Sequence, residues 1–166
     1  MNLEELYEIY FSKVYNYVFF RIMNKEQSED LTSAIFMKIV RNIDRYDPQK
    51  ANVSTWIFRI ANNTLIDYYR RRRPQASIDD ENFTNIPKIE FDEQCDIIQS
   101  EDRKLLYCAL YQLDERTRTI ISLKYNAEMT IKEIASMLEI NESTASTLHQ
   151  RGLKKLRHKL HEDFFI

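Results

Sequence analysis

TIKEIASMLEINESTASTLHQRGLKKLRHKL, residues 130–160, decides the fold. Thr130 and Glu133 have the spacing of a capping box, in which an N-cap hydroxyl and an N3 carboxylate satisfy each other's backbone amides. The pattern predicts a short helix ending near Leu138, a turn at Glu139-Ile140-Asn141, and a long last helix capped by Asn141 and reaching about Glu162. A helix of about eight residues, a three-residue turn and a longer helix is helix-turn-helix spacing. In that motif the second helix enters the major groove, with its N-terminal residues at the base edges. The outward positions here are Ser143, Ser146, Thr147, Gln150 and Arg151, whose hydroxyl, amide and guanidinium groups read bases or hold phosphates. Lys154, Lys155 and Arg157 follow and suit backbone contact. Ile131, Ile134, Ala135, Leu138, Ile140, Ala145, Leu148 and Leu156 supply a small core, while Gly152 and Leu153 interrupt the polar face. An ordinary helical hairpin with a solvated basic face has the same spacing.

Working outward, Asp114 caps the segment ERTRTIISLKY, and Ser100 starts a helix running to about Gln112. At the other end of the chain, residues 2–22 carry Leu3, Leu6, Tyr10, Val14, Tyr17 and Val18 at helical steps. Residues 27–45 carry the stripe Leu31, Ile35, Ile39 and Ile43, with Ser28 as N-cap; Pro48 forces Asp47 out of the α region and ends the pattern. Ser54 caps a third helix, whose stripe is Ile57, Ile60, Ala61, Leu65 and Tyr68 and which closes at Arg73-Pro74. Its other face holds Arg59, Asn62, Asn63, Ile66 and Arg70, with Trp56 and Phe58 near the start. Aromatics, Asn and Arg offer what unstacked bases need: a stacking surface, edge hydrogen bonds and phosphate charge. The plain reading of the same residues is core aromatics and a solvated basic helix end.

The charges divide the chain in the same places. The net −2 is the sum of +3 over residues 1–73, −8 over 74–102 and +3 over 103–166. Residues 74–99, with Pro74 and Pro87 and most of the acidic excess, read as a flexible acidic linker. A chain with one Gly and three Pro cannot supply many hairpin turns, so the expectation is an all-α protein of two small helical domains, residues 1–73 and 100–166. The N-terminal MNLEELYEIY is acidic where a signal peptide is basic, and no apolar run approaches the ~18–20 residues that span a bilayer. Cys95 and Cys108 have no ligand spacing and read as reduced thiols of a cytoplasmic protein. His158, His161 and Glu162 on the last helix read as surface residues rather than a metal site, and one Gly leaves no Gly-rich phosphate loop. The chain is therefore read as a non-enzyme without cofactor, metal or small-molecule substrate.

Two runs resemble a known family. EDLTSAIFMKIVRNIDRYDPQKANVSTWIFRIANNTLIDYYRRRR, residues 29–73, resembles conserved region 2 of the extracytoplasmic function (ECF) sigma factors of bacterial RNA polymerase. LDERTRTIISLKYNAEMTIKEIASMLEINESTASTLHQRGLKKLRHKL, residues 113–160, resembles their region 4, and the order, spacing and length also fit. The resemblance implies that the chain binds core RNA polymerase through its β′ and β subunits and helps melt the −10 region of promoter DNA. It also implies control by an anti-sigma factor. It places Asp30, Leu31, Phe36, Lys38 and Arg41 on the helix that docks on the polymerase β′ clamp helices. The loop Asp47–Val53, with Lys50 and Asn52, matches the element that captures a flipped −10 base. Ser54, Trp56, Arg59, Asn62, Asn63 and Arg70 match the −10 reading and strand-separating helix. Ser143, Thr144, Ser146, Thr147, Gln150, Arg151, Lys154 and Lys155 match the −35 helix. The linker resembles the segment that threads toward the RNA exit channel.

The chain departs from the family at Ser33, where Gln is usual, and at Glu139, where the turn usually has Gly. It departs again at Ser146, Leu148 and Leu153, where basic residues are frequent. If the turn needs φ > 0, Glu139 costs about 1 kcal/mol or more. Three further readings remain: a dimeric helix-turn-helix regulator that binds duplex operators without polymerase, a helical adaptor with no DNA role, and a metal-dependent hydrolase using His158 and His161.

Overall fold

The structure is a computed structural model that describes residues 2–72 and 100–164, without the side chains of 162–164. The flexible-linker expectation for 74–99 lies outside the described residues. These form seven α-helices: α1 (Leu3–Ile22), α2 (Lys25–Asn42), α3 (Val53–Arg72), α4 (Glu101–Tyr111), α5 (Glu115–Tyr125), α6 (Ile131–Met137) and α7 (Glu142–Phe164). A 3-10 turn at Ile43–Arg45 follows α2, and among the described residues there is no strand. The helices fall into two compact units, α1–α3 and α4–α7.

In the first unit the helix starts are set by asparagines. The Asn2 side chain accepts from the Glu4 amide, and the Asn24 side chain accepts from the Gln27 amide. Asn52 Oδ1 accepts from the Thr55 amide at 2.8 Å. Ser28 and Ser54, expected as caps, are thus inside their helices; the Ser28 hydroxyl is buried and donates to the Asn24 carbonyl. Asn is among the best N-cap residues, and in both cases it stands a few positions earlier and wins. α1 packs along α2 and α3, and α2 along α3. The interior is Leu6, Val14, Tyr17, Val18 and Ile22 from α1, Ile35, Phe36 and Ile39 from α2, and Ile57, Phe58, Ala61 and Leu65 from α3. Burying each large apolar side chain stabilises the unit by roughly 1.5–3 kcal/mol. Tyr17 sits at the centre, edge-on to Phe58, and its hydroxyl donates to Asn62 Oδ1 at 3.1 Å.

In the second unit Asp114 caps α5 through the Thr117 amide, as expected. The capping box of α6 is present in both directions, Thr130 Oγ1 accepting from the Glu133 amide and the Glu133 carboxylate accepting from the Thr130 amide. Arg118 is buried at the α4–α5 junction. Its guanidinium donates to the carbonyls of Leu110, Tyr111 and Leu113 at 2.8–3.0 Å, so a cation satisfies the last two carbonyls of α4 and one in the turn beyond it. α7 packs on α4, α5 and α6. Gly152, read from sequence as a break in the polar face, instead faces the interior. A Cβ there would lie 2.6 Å from Ile121 Cδ1 and 2.6 Å from Thr117 Cγ2, so only glycine admits this approach of α7 to α5.

Glu139 has φ 55°, the left-handed conformation that favours glycine. Two substitutions at opposite ends of this logic have opposite signs. Gly152→Ala overpacks the α5–α7 contact and lowers stability by about 1–2 kcal/mol even after its helix-propensity gain. Glu139→Gly relieves the left-handed strain and raises stability by about 0.5–1 kcal/mol. Urea midpoints of the two variants against the parent chain check both.

Candidate nucleic-acid and partner interfaces

On α3 one helical line faces the core, so the opposite line is fixed. Arg59, Asn63 and Arg70 are exposed along it, with Ile66 half-buried between them. Asn62 is not part of this face. It is 8% exposed and holds the Tyr17 hydroxyl, so its role is structural, and the same burial removes Phe58, which is fully enclosed. Trp56 is half-buried, its ring 5.1 Å from that of Tyr46. Tyr46 was not foreseen; its position beside the Asp47-Pro48 break was the available signal.

The loop between the 3-10 turn and α3 is built on Asp47. Its carboxylate accepts from the Gln49 amide at 2.9 Å and its carbonyl accepts from the Lys50 amide at 3.1 Å. Lys50 is exposed, with its ammonium 3.8 Å from Asp47. Asn52 is exposed although its side chain caps α3, and Ser54 is half-buried in the first turn. The cation Arg72 lies over the Tyr68 ring at 4.7 Å, near the exposed Arg70 and Arg71.

α2 presents Asp30 and Arg41 to solvent, with Leu31 half-buried. Phe36, expected on this docking face, is buried against the rings of Tyr7 and Phe11, at 5.1 Å and 5.7 Å between centroids. Lys38 is turned toward α3, where its ammonium donates to Thr64 Oγ1 at 3.0 Å. Two exposed apolar side chains were missed: Met37 at 54% and Val40 at 46%. Both fall off the Leu31-Ile35-Ile39 stripe, and that mismatch was the signal for a partner-facing position.

On α7 the exposed line is Ser143, Ser146, Thr147, Gln150, Arg151, Lys154 and Lys155, with Arg157 beyond and Thr144 half-buried at its margin. The Thr147 hydroxyl donates to the Ser143 carbonyl at 2.8 Å, so it faces a ligand mainly as an acceptor. The opposite line is Ala145, His149, Gly152 and Leu156, all buried. His149 was unforeseen as a core residue; its Nε2 lies 3.1 Å from the Tyr125 hydroxyl. Among the described residues no group of His, Cys, Asp and Glu is arranged to hold a metal ion. No described helix is long and apolar enough to cross a membrane.

A three-helix unit with an Arg/Asn face and a four-helix unit containing a helix-turn-helix define a two-part DNA-binding architecture. Comparison with known proteins gives the same division. The Sigma-70 region 2 family matches residues 6–75 and the Sigma-70 region 4 family matches residues 109–158. ECF RNA polymerase sigma factor SigM of Bacillus subtilis is 27% identical, the alignment covering 95% of this chain and 94% of the relative. SigW of the same organism is 29% identical over 95% of this chain and 88% of its own length. BldN of Streptomyces coelicolor is 25% identical, and this chain spans 60% of its length. Among solved structures, the sigma factor RpoE in complex with the anti-sigma factor NepR from Bartonella quintana shares the fold. It has a TM-score of 0.71 and 16% identity, and covers 95% of both chains. CnrH in complex with the cytosolic domain of CnrY has a TM-score of 0.66 at 19% identity, covering 97% of this chain and 88% of that one. The chain belongs to the sigma-70 family and, within it, to the ECF sigma factors.

The α7 interior carries a pH dependence. Burial, followed by the charge of Lys124, holds the His149 imidazole below its ordinary pKa of 6.5. A histidine whose folded pKa is depressed binds its proton first in the unfolded chain, so stability is complete above about pH 6.5 and falls as the pH drops below it, levelling off below the folded pKa. Urea unfolding at pH 7.5 and pH 5.5 is expected to show this loss in the parent chain and a smaller one in His149→Gln.

Proposed function

We propose that the chain is the promoter-selecting subunit of a bacterial RNA polymerase, acting in the cytoplasm and catalysing nothing itself. It binds core polymerase, directs it to a subset of promoters and assists opening of the −10 region. The observation that carries this reading is the pairing of two different DNA-facing surfaces in one chain. The α3 face offers Arg59, Asn63 and Arg70 beside the Tyr46–Trp56 rings, a set suited to unstacked bases. The α7 face offers Ser143, Ser146, Thr147, Gln150 and Arg151, a set suited to the edges and phosphates of intact duplex. A regulator of duplex operators needs only the second.

The roles divide accordingly. The first unit takes the −10 element, with the Asp47-anchored turn and Lys50 positioned to receive a base that leaves the stack. Exposed Asp30, Met37, Val40 and Arg41 on α2, an apolar centre with charged ends, form the polymerase-docking surface. The second unit takes the −35 element. RpoE is solved in complex with the anti-sigma factor NepR, and CnrH in complex with the cytosolic domain of CnrY; we assign this chain control by an anti-sigma factor, as in the RpoE complex.

In-vitro transcription with purified core polymerase on genomic fragments, with start sites mapped, tests the reading. The chain is expected to confer start sites that core alone does not use; an unaltered start-site map overturns it. Within that assay Arg59→Ala and Asn63→Ala are expected to reduce open-complex formation. The loss should be about five- to a hundredfold, the range for one stacked or bonded base. Gln150→Ala is expected to relax base preference at one −35 position, by about the same factor.

A further inference from the structure

Lys38 stands on the helix that carries the docking surface, yet its ammonium is committed to a neighbouring helix. It donates to Thr64 Oγ1 at 3.0 Å and lies 4.0 Å from Asp67 Oδ2. Both partners are on α3, Thr64 one position beyond Asn63 and Asp67 between Arg59 and Arg70. Thr64 is buried, and its own hydroxyl proton goes to the Ile60 carbonyl at 2.8 Å, so its oxygen is oriented to accept from Lys38. The backbone of Lys38 is anchored as well, its carbonyl accepting from Asn42 Nδ2 at 2.8 Å. A second polar bridge joins the same two helices, from the Tyr68 hydroxyl to Gln27 Oε1. Asp67 repels phosphate and Thr64 is shielded from any ligand, so neither is a DNA contact.

We propose that Lys38 is a positioning residue for promoter opening. It fixes the register of α2 against α3, so that seating α2 on polymerase aims the Arg59–Asn63–Arg70 line at the −10 strand. The proposal rests on the function assigned above. The apolar contacts between α2 and α3 hold the helices together but tolerate small slips and rotations, because they are non-directional. A charge-assisted hydrogen bond is directional and sets one rotation. The bridge is half-exposed and contributes little to overall stability. Its consequence is the angle at which a reading face is presented, and reaction geometry is sensitive to displacements of about 1 Å.

A double-mutant cycle tests this with the full chain, core polymerase and a promoter found in the mapping experiment. Lys38→Met, Thr64→Val with Asp67→Asn, and all three together are compared by core affinity and by the rate of strand opening, read from permanganate reactivity of unpaired thymines. Expected: Lys38→Met leaves core affinity within about twofold, slows opening about three- to tenfold, and adds nothing further in the Thr64→Val/Asp67→Asn background. Lys38→Arg recovers part of the rate, because it still reaches Asp67. Two results overturn the proposal: a fall in core affinity that matches the fall in opening, which makes Lys38 a polymerase contact, or multiplying losses in the cycle, which makes it act apart from α3. The parent chain separates the two layers of inference. If it neither binds core nor opens the promoter, the assigned function has failed; if it does both and the cycle fails, only the role of Lys38 has.

Discussion

The stance of α7 depends on the close approach of two helices at Gly152. With no side chain there, α7 lies near enough to α5 for Ile121 and Thr117 to occupy the space a Cβ would take. Thr117 is itself fixed, its hydroxyl donating to the Asp114 carboxylate. The next residue, Arg118, ties α5 to the carbonyl end of α4. A contact at Gly152 therefore places α7 on a platform that is already locked. Once Ala145, His149, Gly152 and Leu156 face inward, the 3.6-residue period turns Ser143, Ser146, Thr147, Gln150 and Lys154 outward. The exposed polar line of α7 is the residue of a packing decision, and the only glycine in the chain makes that decision.

The first unit solves the same problem with polar bolts. Tyr17 is wholly enclosed, and its hydroxyl needs a partner or costs on the order of 1–3 kcal/mol. Asn62 supplies it from α3, and that bond selects one rotation of α3 about its axis. Arg21 adds a longer contact to the same oxygen at 3.4 Å. The neighbours of Asn62 in sequence are then sorted: Ala61 and Leu65 inward, Arg59 and Asn63 outward. Directional bonds specify what apolar contact alone leaves loose.

Much of this was legible in the sequence because it is local. The capping box at Thr130 and Glu133, the Asp114 cap and the Ile35–Ile39 core of α2 are short-range patterns, and the folded chain contains them. The left-handed conformation of Glu139 was flagged only through the resemblance, whose turn usually carries Gly at that position. What was misjudged is non-local. Asn62 looked like a reading residue because nothing near it in sequence announces Tyr17, 45 positions away. Phe36 looked like a docking residue because its ring partners, Tyr7 and Phe11, are on another helix. Lys38 was placed with the docking residues because nothing near it in sequence announces Thr64, 26 positions away. Ser28 and Ser54 were displaced as caps by asparagines a few positions earlier, where two good candidates compete and local pattern does not rank them. Gly152 was read as a flaw in a polar face because the sequence does not say how near the next helix lies.

The charge distribution explains why surfaces of this kind need a larger assembly. Each terminal portion of the chain carries only +3, over residues 1–73 and 103–166. Affinity for duplex DNA rises with the number of phosphates neutralised and falls steeply with salt, and a few net charges release few counterions. The α7 face adds to the shortage, with Ser146 and half-buried Leu148 and Leu153 where cations would strengthen phosphate attraction. In the proposed role, a single face with so few charges is too weak to hold a promoter against the excess of competing sites in a genome. Held together on one polymerase, the second contact becomes intramolecular, and its effective concentration rises by orders of magnitude without any new bond. Weak faces are then an advantage. They discriminate by base chemistry, because non-specific attraction contributes little, and they leave the free chain with little hold on DNA until the assembly that uses it is formed.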